Sequence, residues 1–145
     1  MATGDVTVFD EAKAKMIAGD WATTDVFYLA ICDNTTVPAA STATPVFGDF
    51  TEVGAAGSYT ANGTSLGALS TLVSEAAGVM TFDSATNPTW AQDASNDVDA
   101  YWGIVYNFTD AGKDALAFVE LGGPVDMSAG ALTVTWNASG IYTIT

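Results

Sequence analysis

The chain has 145 residues, of which 17 are acidic and three are lysines, and it has no histidine, so its formal net charge at pH 7 is −14. This length is typical of a single domain with its own core. The scarcity of cations excludes nucleic-acid binding, which needs lysine or arginine to neutralise phosphates, and it disfavours anionic membranes as partners. The lack of histidine excludes histidine-based triads and the usual zinc sites, and no spacing singles out a pair of catalytic carboxylates, so we expect neither a cofactor nor enzymatic activity.

The chain opens with a short strand and a helix. Residues 6–9 (VTVF) predict the strand. Residues 10–17 predict a helix of about two turns, with Asp10 as its N-cap and Gly19 as its stop. This helix carries Lys13 and Lys15.

β-Strand signals dominate the rest of the chain. Residues 25–32 (DVFYLAIC) are nearly all apolar, which predicts a central strand. That strand ends in Cys32, the only cysteine, which we expect to be a buried and unreactive thiol. A long loop is predicted over residues 33–48 and a short edge strand over residues 50–53, with Tyr59 anchored inward.

Further strands follow at the short spacings of a sandwich or barrel. The predicted strands are residues 69–74, which pair with 79–82, then 89–91, then 98–108, which pair with 115–121 up to the break at Gly122–Pro124.

Residues 131–145 (ALTVTWNASGIYTIT) predict a closing β-hairpin. A three-residue loop, Ala138 to Gly140, would pair Trp136 with Tyr142 and place the large apolar groups on one face. Gly140 would take the left-handed conformation that a glycine adopts without cost.

These elements predict an all-β fold, an antiparallel β-sandwich that is jelly-roll-like and has one short N-terminal helix. Residues 1–20 form an N-terminal strand and helix segment, a candidate for capsid or subunit contact. Residues 21–145 form a single β-sandwich domain.

The acidic loop at residues 93–99 (DASNDVD) offers oxygen ligands of the kind that Ca²⁺ prefers. Its calcium candidates are Asp93, Asp97 and Asp99. The loop lacks the ligand order and the glycine of an EF-hand. The alternative explanation for the many acidic residues of the chain is that they keep it soluble and make free copies repel one another.

Exposed aromatic side chains would suit a carbohydrate-binding module, which is one alternative function. The candidate stacking platforms are Trp21, Trp90, Tyr101 and Trp102. Trp102 and Trp136 lie on the apolar faces of their strands, and this position favours a place in the core for both.

Several stretches of the chain resemble small structural proteins of tailed-phage virions. They are residues 2–21 (ATGDVTVFDEAKAKMIAGDW), 50–54 (FTEVG), 74–83 (SEAAGVMTFD), 100–107 (AYWGIVYN) and 122–145 (GGPVDMSAGALTVTWNASGIYTIT). The resemblance implies a protein that decorates and stabilises the capsid as a cement protein, with a tail or fibre component as the alternative. It brings no catalytic or ligand residues with it.

A decoration role implies the major capsid protein as partner and the outer capsid surface of the virion as location. Packing on a lattice point favours a homo-oligomer, a trimer rather than a dimer. The first residues show no signal-peptide pattern, so we expect synthesis in the host cytoplasm without secretion. Because the lysines concentrate in the N-terminal segment, its candidate contact residues are Val8, Phe9, Lys13, Lys15, Met16 and Ile17.

Overall fold

The computed structural model describes residues 4–144. In chain order, its elements are β1 (Val6–Val8), α1 (Asp10–Ala18), β2 (Val26–Cys32), a 3₁₀ helix (Phe47–Asp49), β3 (Thr64–Ala68), α2 (Leu69–Leu72), β4 (Val73–Ala76), β5 (Val79–Phe82), β6 (Thr89–Trp90), β7 (Ala100–Asn107), β8 (Ala115–Val125), β9 (Leu132–Thr133) and β10 (Tyr142–Ile144).

Five strands form the main sheet, in the order β1-β8-β7-β2-β3, and each neighbouring pair is antiparallel. A three-stranded sheet, β10-β5-β4, and a two-stranded sheet, β6-β9, complete the architecture of the described residues. The predicted all-β antiparallel fold with a short N-terminal helix is therefore confirmed. The jelly-roll order is not confirmed, because a jelly roll arranges eight strands in two sheets.

Both faces of the main sheet are covered, which explains the apolar runs of β2 and β7. On one face, the Phe27 ring meets Phe82 of β5 edge-on at a centroid distance of 5.5 Å. On the other face, Phe47 of the 3₁₀ helix stacks on Tyr106 at 4.2 Å. The prediction that β2 is a central strand is confirmed, and its last residue, Cys32, is buried as expected.

The N-terminal segment is built into this sheet. Thr7 of β1 lies opposite Phe118 of β8, and Phe9 is fully buried in the core. Phe9, and not Asp10, occupies the N-cap position of α1, and no side chain caps the helix. The predicted stop is confirmed, because Gly19 takes a φ of 73° and ends the helix in the left-handed conformation.

The predicted closing hairpin is wrong. β9 pairs with β6, where Leu132 lies opposite Trp90, and β10 pairs with β5, where Tyr142 lies opposite Phe82. A turn does lie between them, with Gly140 at a φ of 98° and its N–H on the Asn137 carbonyl at 2.9 Å. The two arms diverge because each finds a partner strand elsewhere in the fold.

Three other boundaries differ from the predictions. β8 runs on to Val125, because the Gly122–Pro124 stretch forms a bulge opposite β7 and does not end the strand. Residues 69–72 form the single turn α2. Residues 50–53 form only one isolated bridge, from Glu52 to Cys32.

The predicted pairing of residues 69–74 with 79–82 is confirmed in part, as the hairpin of β4 (Val73–Ala76) and β5 (Val79–Phe82). Ala77 and Gly78 make a two-residue turn with φ values of 52° and 83°. Positive φ at both central residues is the geometry of the type I′ turn, whose twist matches that of paired strands.

Candidate protein-binding surface

One face of the three-stranded sheet is mostly apolar, and its one charged member among the described residues is Glu75 of β4, which lies opposite Met80. Ile144 of β10 lies opposite Met80 of β5, and Tyr142 lies opposite Phe82, which in turn lies opposite Val73 of β4. Residues two apart along a strand share a face, so these five side chains lie together. The opposite face carries the polar residues Thr81, Thr143 and Ser74 (which lies opposite Thr81), with the pair of Ala76 and Val79 beside the turn.

The core covers only part of this apolar face. Phe82 is buried against Phe27 and stacks on Tyr142 at 5.4 Å. Farther along, Met80 is 44% exposed, Ile144 39% and Val73 37%. Exposed apolar side chains that lie together mark an interaction site more reliably than scattered ones.

Helix α1 extends this surface and forms a groove with it. The groove holds about 350 Å³, and its apolar lining residues are Met16, Trp21, Leu69, Val73, Met80 and Tyr142. The Tyr142 hydroxyl contacts the Met16 sulfur, and burial raises the pKa of Tyr142 to about 12, so this tyrosine stays neutral. Ile17, the next residue on α1, is 86% exposed. We define the apolar surface as Met16, Val73, Met80, Tyr142 and Ile144.

A partly buried ion pair between Lys15 and Asp114 holds α1 in place beside the groove. The Lys15 ammonium donates to Asp114 Oδ2 at 2.6 Å, and the Trp21 indole N–H donates to the same oxygen at 3.2 Å. Burial by itself would lower the pKa of Lys15, but the hydrogen bond and charge of Asp114, with Glu11 and Asp110 nearby, raise it above its usual value. Lys15 therefore stays charged and serves to position the helix.

The structure distributes the six predicted contact residues over different roles. Phe9 lies in the core and is not available to a partner, and Lys15 is engaged with Asp114. Lys13 is exposed and pairs with Asp10 at 2.8 Å. Val8 is half-buried in a shallow groove with Lys13 and Ile144. Met16 belongs to the apolar surface, and Ile17 is exposed on α1.

The predicted calcium candidates take part in turns of the backbone. Asp93 Oδ1 accepts the Ser95 N–H at 2.9 Å. Asp97 accepts the N–H of Asp99 with one oxygen and that of Gly54 with the other, both at 3.0 Å. Within residues 4–144, no three acidic, cysteine or histidine side chains come together in a way that could hold a metal ion.

The same loop is pinned by an amide side chain. Asn96 is buried, and its Oδ1 accepts the N–H groups of Ser58 and Tyr59 at 2.9 and 3.2 Å. Its Nδ2 donates to the carbonyls of Ala91 and Met127 at 3.0 and 3.2 Å. Asn96 thus joins three separate segments, and the loop has a structural role.

We expect Asp97→Asn to make the protein slightly less stable near neutral pH and to leave it unchanged in acid. The Gly54 N–H holds the pKa of Asp97 below its ordinary value of 3.8, so the ionised carboxylate stabilises the folded state. This stabilisation is complete above the unfolded-state pKa and is lost as the pH falls through the folded-state pKa. The effect is small because solvent screens this partly exposed group.

Urea unfolding of both proteins at pH 7, 5 and 3 measures this difference. The gap in the free energy of unfolding should be the same at pH 7 and 5 and should narrow at about pH 3. A gap that stays constant down to pH 3 would contradict the role given to the carboxylate.

The proposed stacking platforms are largely inside the protein. Trp21, Trp90 and Trp102 are all buried, and the place of Trp102 and Trp136 in the core is confirmed. Of the four candidates only Tyr101 is half-buried. The three tryptophans named as candidate stacking platforms therefore present little surface to a glycan.

A buried polar cluster beside Cys32 is also structural. The Tyr59 hydroxyl accepts the Ile31 N–H at 2.9 Å and donates to Glu52 at 2.8 Å, and the Asn62 N–H donates to the same Glu52 oxygen. Burial raises the pKa of Tyr59 and that of Cys32, which keeps both groups neutral. The inward position predicted for Tyr59 is confirmed.

Sequence reasoning missed most of the apolar surface. Met80, Val73, Tyr142 and Ile144 were not predicted as contact residues, although Met80 and Phe82, like Tyr142 and Ile144, follow the two-residue period of a strand face. That period identifies a shared face, but whether the core covers the face depends on long-range packing.

Among the described residues, no helix has the length and apolarity needed to span a membrane. Comparison of the chain with protein-family models, with curated proteins and with solved structures finds no match.

Proposed function

We propose that this protein is a non-enzymatic structural protein of a phage virion that decorates the capsid exterior and stabilises it as a cement protein. The phage assignment rests on the resemblance of its terminal and middle stretches to small virion proteins. The observation that supports a binding role is the apolar surface, which an acidic protein acting alone in solution has no reason to keep exposed.

The occupant of the apolar surface in this proposal is the major capsid protein. Free copies of a chain with a net charge of −14 repel one another, which favours a different protein as the occupant. Lys13 lies near Ile144 at the border of the surface and offers one cation to that partner.

Two half-buried carboxylates support a structural role. Glu52 binds Tyr59 and Asn62, and Asp114 binds Lys15 and Trp21. Each of these carboxylates is used to hold two segments of the fold together.

The first test is the copy number of the chain in purified particles, measured by quantitative mass spectrometry against the major shell protein. Near-stoichiometric copies would support decoration of the shell. A few to a few tens of copies would indicate the tail or fibre alternative, and complete absence would overturn the virion assignment.

The second test changes the apolar surface. We expect Met80→Lys combined with Ile144→Lys to lower occupancy on particles at least about tenfold, since burying a charge in an apolar contact costs well over 1.4 kcal/mol. The matched control is Ser74→Lys with Thr143→Lys, which adds the same charge to the polar face of the same sheet.

The control pair should bind like the unchanged protein. Equal occupancy of the two double variants on particles would show that another surface of the protein contacts the shell. Point variants are preferred to removal of the N-terminal segment, because Phe9 belongs to the core. The homo-oligomer, a trimer rather than a dimer, is a separate part of the proposal. It rests on packing at a capsid lattice point, where binding to the shell would offset the repulsion between copies, and the number of copies per lattice point on particles tests it.

A further inference from the structure

β1 is an edge strand of the main sheet, and one side of its backbone is free of the β1–β8 ladder. The Phe9 N–H donates to the Leu116 carbonyl at 3.1 Å, which places this pair among the hydrogen-bonded pairs. Hydrogen-bonded and non-bonded pairs alternate in an antiparallel ladder. The peptide groups of Val6 and Val8 therefore point away from β8.

A second backbone edge lies in the segment that contains β9. The Val134 N–H donates to the Pro88 carbonyl at 2.9 Å, and the Trp136 N–H donates to Asn87 Oδ1 at 3.1 Å. The same alternation turns the peptide groups of Thr133 and Thr135 away from β6.

Both edges border one groove of about 320 Å³. Its lining comprises Gly4, Asp5 and Val6 at β1, Val119, Glu120 and Leu121 of β8, residues 132–137, and Gly140 with Ile141. The carboxylates of Asp5 and Glu120 belong to this lining, and no lysine does within the described part of the chain. The groove thus combines strand edges with negative charge.

We propose that this groove is a strand-addition site that binds an extended, lysine- or arginine-bearing segment of a partner protein. An added strand would hydrogen-bond to the peptide groups that the ladders leave free. Its cations would meet Asp5 and Glu120. A second copy of this chain is a poor occupant, because it has only three lysines and a net charge of −14.

This site goes beyond the proposed function. It lies apart from the apolar surface, differs from it in chemistry, and does not require the partner to be a shell protein. Its failure would therefore leave the decoration proposal unaffected.

Two synthetic peptides test the site with the full-length protein by fluorescence anisotropy. One is Lys-Thr-Val-Thr-Val-Thr-Lys, and the other has glutamate in place of both lysines. We expect the lysine peptide to bind at least about tenfold more tightly, with an affinity that falls as salt is added. Equal affinity of the two peptides, or no binding of either, would overturn the proposal.

Charge variants locate the binding. The double variant Asp5→Asn with Glu120→Gln should bind the lysine peptide at least about fivefold more weakly than the unchanged protein. The control variant, Asp20→Asn with Glu75→Gln, also removes two negative charges, but at positions outside the groove. It should change the affinity for the lysine peptide little. Equal losses in the two pairs would show that the peptide responds to net charge alone, which contradicts a site in the groove.

Backbone variants test the strand edge itself. Val6→Pro removes an N–H that the β1–β8 ladder does not use, so the fold should persist, as it does for proline on edge strands generally, while peptide binding is lost. Unchanged binding by folded Val6→Pro would contradict strand addition.

Hydrogen exchange on the unchanged protein gives a test that depends on no variant. The lysine peptide should slow exchange at the amides of Val6, Thr133 and Thr135, three residues that line the groove. Peptide binding without protection of these amides would overturn the proposal. Protection of these amides that rises with protein concentration in the absence of peptide would also overturn the proposal, because it would show that two copies of the chain contact each other there.

Discussion

Phe27→Ala should lower the free energy of unfolding by about 3–5 kcal/mol, the range for truncating a buried aromatic side chain. Phe27 is fully buried, and its ring meets Trp21 at 5.3 Å and Phe82 at 5.5 Å, both edge-on. It thereby joins β2 of the main sheet to β5 of the three-stranded sheet. Truncation leaves a cavity between the two sheets and removes both ring contacts.

Urea unfolding measures the loss, with Phe27→Leu as the matched control. Leucine keeps much of the apolar volume, so the control should cost only about 1–2 kcal/mol. Phe27→Ala should also speed hydrogen exchange in β5 and β10, which carry Met80 and Ile144 of the apolar surface. A loss below about 1 kcal/mol would show that Phe27 does not hold the sheets together.

Asn96→Ala should cost about 3 kcal/mol or more, because its amide satisfies several buried backbone groups at once. The N–H groups of Ser58 and Tyr59 lose their acceptor, and the carbonyls of Ala91 and Met127 lose a donor. Each buried polar group left without a partner costs about 1–3 kcal/mol, and water entering the site recovers part of that.

Thermal and urea unfolding in the presence and absence of calcium measure this effect. The neighbouring exposed change Ser95→Ala is the control and should stay within about 0.5 kcal/mol. We expect the loss in Asn96→Ala to be the same in calcium and in EDTA, since the amide acts through backbone hydrogen bonds. A loss that appears only with calcium would restore a metal-binding role to the loop.

The closing segment shows how far strand periodicity carries. Leu132, Val134 and Trp136 are buried and alternate with exposed residues, as the pattern predicted. The predicted partner strand was wrong, because alternation specifies which side chains share a face and does not specify which strand lies alongside. Tyr142 joins β5, where it stacks on Phe82.

The helix shows the same division. Gly19 stops α1 because its left-handed conformation is a local property of glycine, and this was readable from the residue itself. The role of Lys15 could not be read from the sequence, because it depends on Asp114, which lies 99 positions away in the chain. A lysine predicted to meet another protein instead holds the helix to its own sheet.

The sequence by itself determined the all-β class, the central place of β2, the buried state of Cys32 and the short N-terminal helix. Each of these follows from residue type and spacing within a short window, where burial and backbone preference act locally. Only the tertiary structure decided that the chain-end strands separate, that Asn96 pins the acidic loop, and that one sheet face stays partly uncovered. Those outcomes depend on which distant segments come together, and residue spacing along the chain does not carry that information.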